Sequence, residues 1–349
     1  MDTITENTLR AIRFERPDYI PVVFWINPAC WHHYPTDVLL ELMADHNVLF
    51  PDFDAESKPQ VELAPFERAG APYTDAWGCV WQTTDDGITG AVTGHPLADW
   101  TDFEGFVPPD PEVTNGVMCI DWVAAKDRIV SATDANHYAG SLEHGHAFQR
   151  LSYLRGYENL LLDMADNEPR LRRLIEIVEA FNAEIVRHYL DCSVAMMRYP
   201  EDLGMQVGPM LSPDNFRSYI KPMYERLMAP AREAGCLAHM HSDGDIRDLV
   251  ADIAISGVDA LNLQDLVNGI DWIAANLKGK VCIDIDIDRQ QITRFGTPEQ
   301  IDDLVREEVE KLGSPQGGLM MIYGLYPGVP IENAKAVTDA MERYSGFYT

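Results

Sequence analysis

Basic side chains are scarce in this chain: Lys and Arg together number 27 against 56 Asp and Glu, a formal net charge of −29 at pH 7. Phosphate binding needs an excess of basic groups, so this balance excludes nucleic acid and other polyanions as expected partners. The acidity itself reads as a solvated surface. Long apolar runs are missing too. None reaches the roughly 18 residues of a membrane span, and the opening residues mix Asp2, Glu6, Arg10 and Arg13 without an apolar core, so neither membrane insertion nor a secretory signal is expected. The six cysteines (Cys30, Cys79, Cys119, Cys192, Cys236 and Cys282) form no C-x-x-C pair, which points to reduced thiols and a cytoplasmic location. No GxGxxG or P-loop accompanies any strand pattern, which makes a Rossmann nucleotide fold the weaker alternative. There is no long repeat and no low-complexity linker.

What is present suits a large α/β domain. A chain of 349 residues with 46% hydrophobic side chains can fill the core of a (β/α)8 TIM barrel, which needs about 250 residues and often carries insertions. Helical spacing over 4–15 precedes the apolar run from Ile20 to Trp25. A helix over 36–45, with Thr36 as its N-cap, feeds Val48–Phe53. Further strands are expected at Arg128–Thr133, Val194–Pro200, Cys236–Asp243, Ala260–Gln264, Val281–Asp288 and Leu319–Gly324. Helical patterns separate them, as parallel βαβ units require. Near residues 74–109 two extended stretches flank Asp85-Asp86-Gly87, a β-hairpin signature read as an insertion. The expected architecture is one barrel domain over residues 1–349, with its chemistry where strands end and βα loops begin.

The most informative stretch is Cys236 to Asp245, Cys-Leu-Ala-His-Met-His-Ser-Asp-Gly-Asp. A strand's period of two puts His239, His241 and Asp243 on one face, and an Asp-Gly turn signal closes the run. His239, deeper in the strand, reads as a core histidine. His241 and Asp243, at the tip, read as proton-handling groups or metal ligands. Asp202, one of the pair Glu201-Asp202 at the end of another strand, is expected to face the pocket while Glu201 caps the next turn. Asp284, Asp286 and Asp288 alternate along one face, and Asp288 is the member nearest the tip. Trp25, Trp31, Trp77, Gln206, Gln264 and Tyr323 are candidate pocket residues. His137, Glu143, His144 and His146 fall in one polar loop, where histidines of an acidic protein are usually just solvated.

In their order along the chain, several short motifs carry a resemblance. They are Arg16-Pro-Asp-Tyr-Ile-Pro21, Asp75-Ala-Trp-Gly78, Arg155-Gly-Tyr-Glu158-Asn, Glu201-Asp-Leu-Gly-Met-Gln206, Lys221-Pro222, His241-Ser-Asp-Gly244, Gly257 to Gln264, Asp288-Arg-Gln and Val329 to Asn333. Together they resemble the uroporphyrinogen decarboxylase superfamily, and within it the corrinoid-dependent methyltransferase-like branch. That resemblance implies a (β/α)8 barrel. It also implies transfer of a methyl group from a small O- or N-methylated compound, a methoxyaromatic first, to a corrinoid carried by a partner protein. Members that activate thiols use zinc held by a His-x-Cys pair and a later Cys; here Asp243 and the Tyr323-Gly-Leu-Tyr326 run stand in those places. The resemblance thus leaves a harder metal site or none, with His241 and Asp243, and Asp202 and Asp288 as further catalytic acids, either holding Zn2+ or giving a proton to the leaving oxygen. The alternatives are a decarboxylase of tetrapyrrole carboxylates, for which the loop from Trp25 to Tyr34 lacks a gripping arginine, and a barrel that binds ligand without catalysis.

Overall fold

The computed structural model describes residues 4–54, 61–131 and 139–348. His137 lies outside them. The chain forms two compact units. The first comprises Met1–Pro72, Gln82–Ala91 and Gln264–Thr349, and the second Tyr73–Trp81 and Val92–Leu263. Among the described residues, no helix is long and apolar enough to cross a membrane.

In the first unit, Val22–Ile26 pairs in parallel with Leu319–Leu325, which pairs in parallel with Cys282–Asp286. Val22–Ile26 and Leu319–Leu325 are near-continuous apolar runs, as strands covered on both faces require, whereas Cys282–Asp286 alternates its apolar residues with the buried Asp284 and Asp286. Phe24, Ile283, Ile285, Met321 and Tyr323 are all buried. The helix Thr36–Asp45 starts one position earlier than its cap signal suggests, since Pro35 and not Thr36 is the cap. Val48–Phe53 is a series of turns, not a strand: Leu49 N and Phe50 N both donate to His46 O. Pro51 within the run has no N–H to give a ladder.

Glu308, on the helix Pro298–Leu312, is fully buried in this unit beside the Asp265 carboxyl, and neither of its oxygens makes a well-aligned hydrogen bond among the described residues. Burial, and next the Asp265 carboxylate, push its pKa well above the usual range. A carboxyl with a raised folded pKa costs nothing below its unfolded pKa and destabilises as pH rises toward the folded value. Glu308→Gln removes the part of that slope that Glu308 contributes, leaving the part due to Asp265, whose pKa burial also raises to about 6. The variant is expected to gain on the native protein in denaturant titrations as pH is raised from 5 to 8, by roughly 1 to 3 kcal/mol; a difference independent of pH would contradict the assignment.

The second unit holds the parallel strands Ala139–Ser141, Met196–Asp202, Leu237–Asp243 and, up to Leu263, Ala260–Gln264, paired in that order. The expected strand at Arg128–Thr133 is wrong at its start. Trp122–Ser131 is a helix whose first turn is capped by Asp121 Oδ1, which accepts from Val123 N and Ala124 N. The cap and the run Ala124-Ala125-Lys126 favour helix over the β-branched residues that follow. The segment after the loop of His144 forms two helices, Phe148–Arg155 and Tyr157–Asp166, broken at Gly156 with φ +82°. Ser212 caps Pro213–Asn215, its hydroxyl oxygen accepting from Asn215 N.

The insertion is a three-stranded sheet of Tyr73–Thr74, Val80–Gln82 and Ala91–Gly94, one strand more than a hairpin, its first two strands antiparallel. Asp75 fastens it. Its Oδ1 accepts from Trp77 N at 3.0 Å and Cys79 N at 2.9 Å, and its Oδ2 from Trp81 Nε1 at 2.9 Å and Arg150 Nη1 at 2.8 Å. Neither charged side chain exceeds 3% exposure.

Candidate functional site

Strand register assembles the site. Asp202 lies beside Asp243, and His241 lies between Pro200 and Asn262, so the ends of three strands of the second unit bring their polar residues together. Alternation separates the two acids of Glu201-Asp202 onto opposite faces. Glu201 is fully buried: its Oε2 accepts from Ala147 N and Phe148 N, both at 2.9 Å, and from the Tyr224 hydroxyl at 3.2 Å, while Oε1 accepts from Gln149 N at 3.1 Å. Three of those donors are the otherwise unpaired amides at the start of Phe148–Arg155, so Glu201 anchors that helix and the loop before it. Burial raises its pKa to about 7 despite these bonds.

Asp202 points the other way. Its Oδ1 is 3.4 Å from His144 Nε2 and 3.5 Å from His241 Nε2, and it accepts from Asp243 N at 3.1 Å; Oδ2 accepts from Gln149 Nε2 at 3.1 Å. Burial works against the carboxylate, but the hydrogen bonds and charges of His144 and His241 outweigh it and hold Asp202 far below the usual range. The same bond acts on His144 in reverse: partial burial of its half-exposed ring lowers its pKa, Asp202 raises it, and the net direction is upward. His241 Nδ1 pairs with Asn262 Oδ1, which fixes the ring and turns Nε2 toward Asp202 and toward Asp243 Oδ1, 3.6 Å away. The side chains of His144, Asp202 and His241 are 49%, 25% and 19% exposed, so the cluster is reachable from solvent.

The rim is built by a close backbone approach. At Gly244, φ is +81° and a Cβ would sit 2.2 Å from Gly204 C, so only glycine fits there. Gly204–Met205 and Gly208–Pro209 form a small hairpin beside it, with Gln206 exposed at its turn.

Of the residues singled out in the sequence, the fold brings His241, Asp243 and Asp202 together. Asp288 serves the backbone instead. Its carboxylate accepts from the N–H groups of Gln290, Gln291, Ile292 and Thr293, so it shapes the turn after its strand. Trp77, 3% exposed, is committed to packing, its ring 4.9 Å from Phe181 and stacked on Phe106. In the first unit Trp25 is half-buried with its ring against Tyr326, Trp31 is half-buried on Cys30–His33, Gln264 is 8% exposed, and Tyr323 is fully buried against Phe24. His146 is structural: its Nδ1 donates to Pro200 O at 2.9 Å, and burial lowers its pKa to about 4, leaving it neutral.

His144, Gln149 and Asn262 are the members that sequence reasoning set aside. Asn262 had a signal, a polar residue in the middle of the apolar run Ala260-Leu-Asn-Leu. His144 looked like a solvated loop histidine because nothing local reveals that Glu201 pins its loop against Asp202. Gln149 had no signal at all.

The fold so described is a TIM-barrel-like α/β fold. The chain belongs to the uroporphyrinogen decarboxylase (URO-D) family, whose sequence profile matches residues 83–344. Among solved structures it is similar to a methyltransferase from Methanosarcina mazei, at a TM-score of 0.69 and 18% identity over 100% of both chains. A weaker similarity, TM-score 0.44 and 11% identity over 65% of this chain and 66% of the other, is to a B12-independent methionine synthase from Shewanella sp. W3-18-1. A search of curated protein sequences found no match.

Proposed function

We propose that the protein is a methyltransferase that demethylates a small O- or N-methylated compound, a methoxyaromatic in the first instance, and passes the methyl group to the cobalt(I) corrinoid of a partner protein. The observation that carries this reading is the meeting of His144, Asp202 and His241 at the end of parallel strands, within reach of solvent. The shared fold of the Methanosarcina methyltransferase supports it. The reaction breaks the C–O bond and forms a C–Co bond. Cobalt(I) supplies the electron pair and becomes formally cobalt(III), the oxygen keeps the bonding pair, and a proton from water completes the phenol or alcohol.

The difficulty of that step is the negative charge left on oxygen. Groups placed to meet it lower the barrier, and a positioned acid is worth roughly 10²- to 10⁴-fold. His241, oriented by Asn262, and His144, drawn in by Asp202, supply the polar surface for the leaving oxygen. Asp243, 3.6 Å from His241 Nε2, lies beside that surface and serves to relay the proton. Decarboxylation of a tetrapyrrole fits less well. Its several carboxylates call for cationic partners, whereas this cluster contributes Asp202 and Asp243 to a chain of net charge −29.

The test is to mix the purified protein with cobalt(I) corrinoid and a panel of methoxyaromatics, methyl ethers and methylamines. Methylcorrinoid is expected with one chemical class. No product with any donor, or CO2 release from a tetrapyrrole carboxylate, would overturn the reading.

A further inference from the structure

The donor set at the site resembles a metal centre more closely than a purely proton-handling one. His144 Nε2, Asp202 Oδ1 and His241 Nε2 belong to three separate segments, yet their ligand atoms lie within 4.8 Å of one another. Each is oriented from behind. His241 is held through Nδ1 by Asn262 Oδ1, which directs Nε2 to the cluster; Asp202 is held by Gln149 Nε2 and Asp243 N; and the His144 loop is fixed through Glu201. A histidine fixed by a hydrogen bond at one ring nitrogen and offering the other is the usual arrangement behind a metal.

The set also passes a chemical test. The zinc site implied by the family's thiol-activating members needs two thiolates, and this chain offers Asp243 and Tyr323 instead. Among the buried cysteines, Cys30, Cys79 and Cys236 have pKa values raised to about 12, chiefly by burial, which disfavours the thiolates a soft site would need. Two imidazoles and one carboxylate suit a borderline divalent ion with room for a further oxygen ligand.

We propose that His144, Asp202 and His241 form a three-ligand site for a divalent cation, Zn2+ first, with an open position for the oxygen of the methyl donor. Two of its ligands differ from the His241–Asp243 pair that the sequence suggests. The ion would act as a Lewis acid on the leaving oxygen. That role rests on the methyl-transfer reading; binding of the ion does not.

The experiment separates the two. Protein stripped with a chelator and dialysed is titrated with Co2+, read by its visible d–d bands, and with Zn2+ by competition. One ion per chain is expected. His144→Ala, Asp202→Asn and His241→Ala should each weaken binding by at least about 100-fold, and Asn262→Ala by about 10- to 100-fold. Asp243→Asn should retain one ion. On the native protein, bound Zn2+ should protect His144 from carbethoxylation mapped by mass spectrometry, a readout that requires no variant to fold. Failure to bind, binding that survives both His144→Ala and Asp202→Asn, or loss of the ion in Asp243→Asn would overturn the ligand assignment. Methyl transfer at full rate by metal-free protein would overturn the Lewis-acid role while leaving the ligand assignment and the proposed function standing. Tight binding without methyl transfer from any donor would sustain the site and remove the function.

Discussion

His241→Ala is expected to lower kcat/KM for methyl transfer by roughly 10³-fold, about 4 kcal/mol of transition-state stabilisation, with less than a tenfold change in KM. The reason is geometric. The imidazole is oriented by Asn262 at one nitrogen and faces Asp202 and Asp243 with the other, so its removal takes away stabilisation of the leaving oxygen, whether given by the ring or by an ion that the ring holds. The loss should grow with the basicity of that oxygen, because a poorer leaving group depends more on charge stabilisation. An alkyl methyl ether should therefore suffer more than a nitrophenyl methyl ether. The ring is about four-fifths covered, so truncation also leaves a small void, and thermal melting must show that the variant is folded. A rate loss equal for both donors, or confined to KM, would mean that His241 only packs the site.

The second large effect concerns stability. Arg150→Leu should cost roughly 3 to 5 kcal/mol, since it leaves the Asp75 carboxylate charged, fully buried and short of its only cationic partner among the described residues. Three donors remain on Asp75, the amides of Trp77 and Cys79 and the indole of Trp81, but they do not neutralise it. Adding Asp75→Asn to Arg150→Leu should restore part of the loss, because the amide no longer carries a stranded charge. Denaturant midpoints for the two singles and the double give the coupling directly. A single Arg150→Leu within about 1 kcal/mol of the native protein would show that water reaches the pair. The same change should slow catalysis modestly: Arg150 follows Gln149, which holds Asp202, and its guanidinium lies over the rings of Trp77 and Tyr153.

Much of this architecture can be read in the sequence. Apolar runs bounded by Gly, Pro and Asp mark the strands that carry His241, Asn262 and Tyr323, because parallel strands are buried on both faces. The period of two is enough to separate Glu201 from Asp202. Reading fails where local and tertiary preferences part. Val48–Phe53 is apolar enough for a strand, yet Pro51 and the turn bonds to His46 decide otherwise. Arg128–Val130 contains β-branched residues, but the cap at Asp121 has already started a helix. Asp288 is exposed to misreading for a different reason, since a carboxylate at a strand tip looks the same in sequence whether it serves a substrate or four backbone amides. His144 shows the converse. Its place beside Asp202 depends on Glu201, some fifty residues further along the chain, gripping the amides of Ala147, Phe148 and Gln149. No window of local sequence contains that information.

The central claim is that this site moves a methyl group from a small methylated compound to cobalt, and the most direct measurement follows the methyl carbon itself. A donor carrying a ¹³C-methyl group, the best substrate of the panel, is incubated with cobalt(I) corrinoid and either the native protein or Asp202→Asn. With the native protein, the label should appear on cobalt in a one-to-one ratio with demethylated product, and Asp202→Asn should slow both together by at least about 100-fold. Label that stays on the donor, demethylated product without methylcorrinoid, or an undiminished rate in Asp202→Asn would contradict the account.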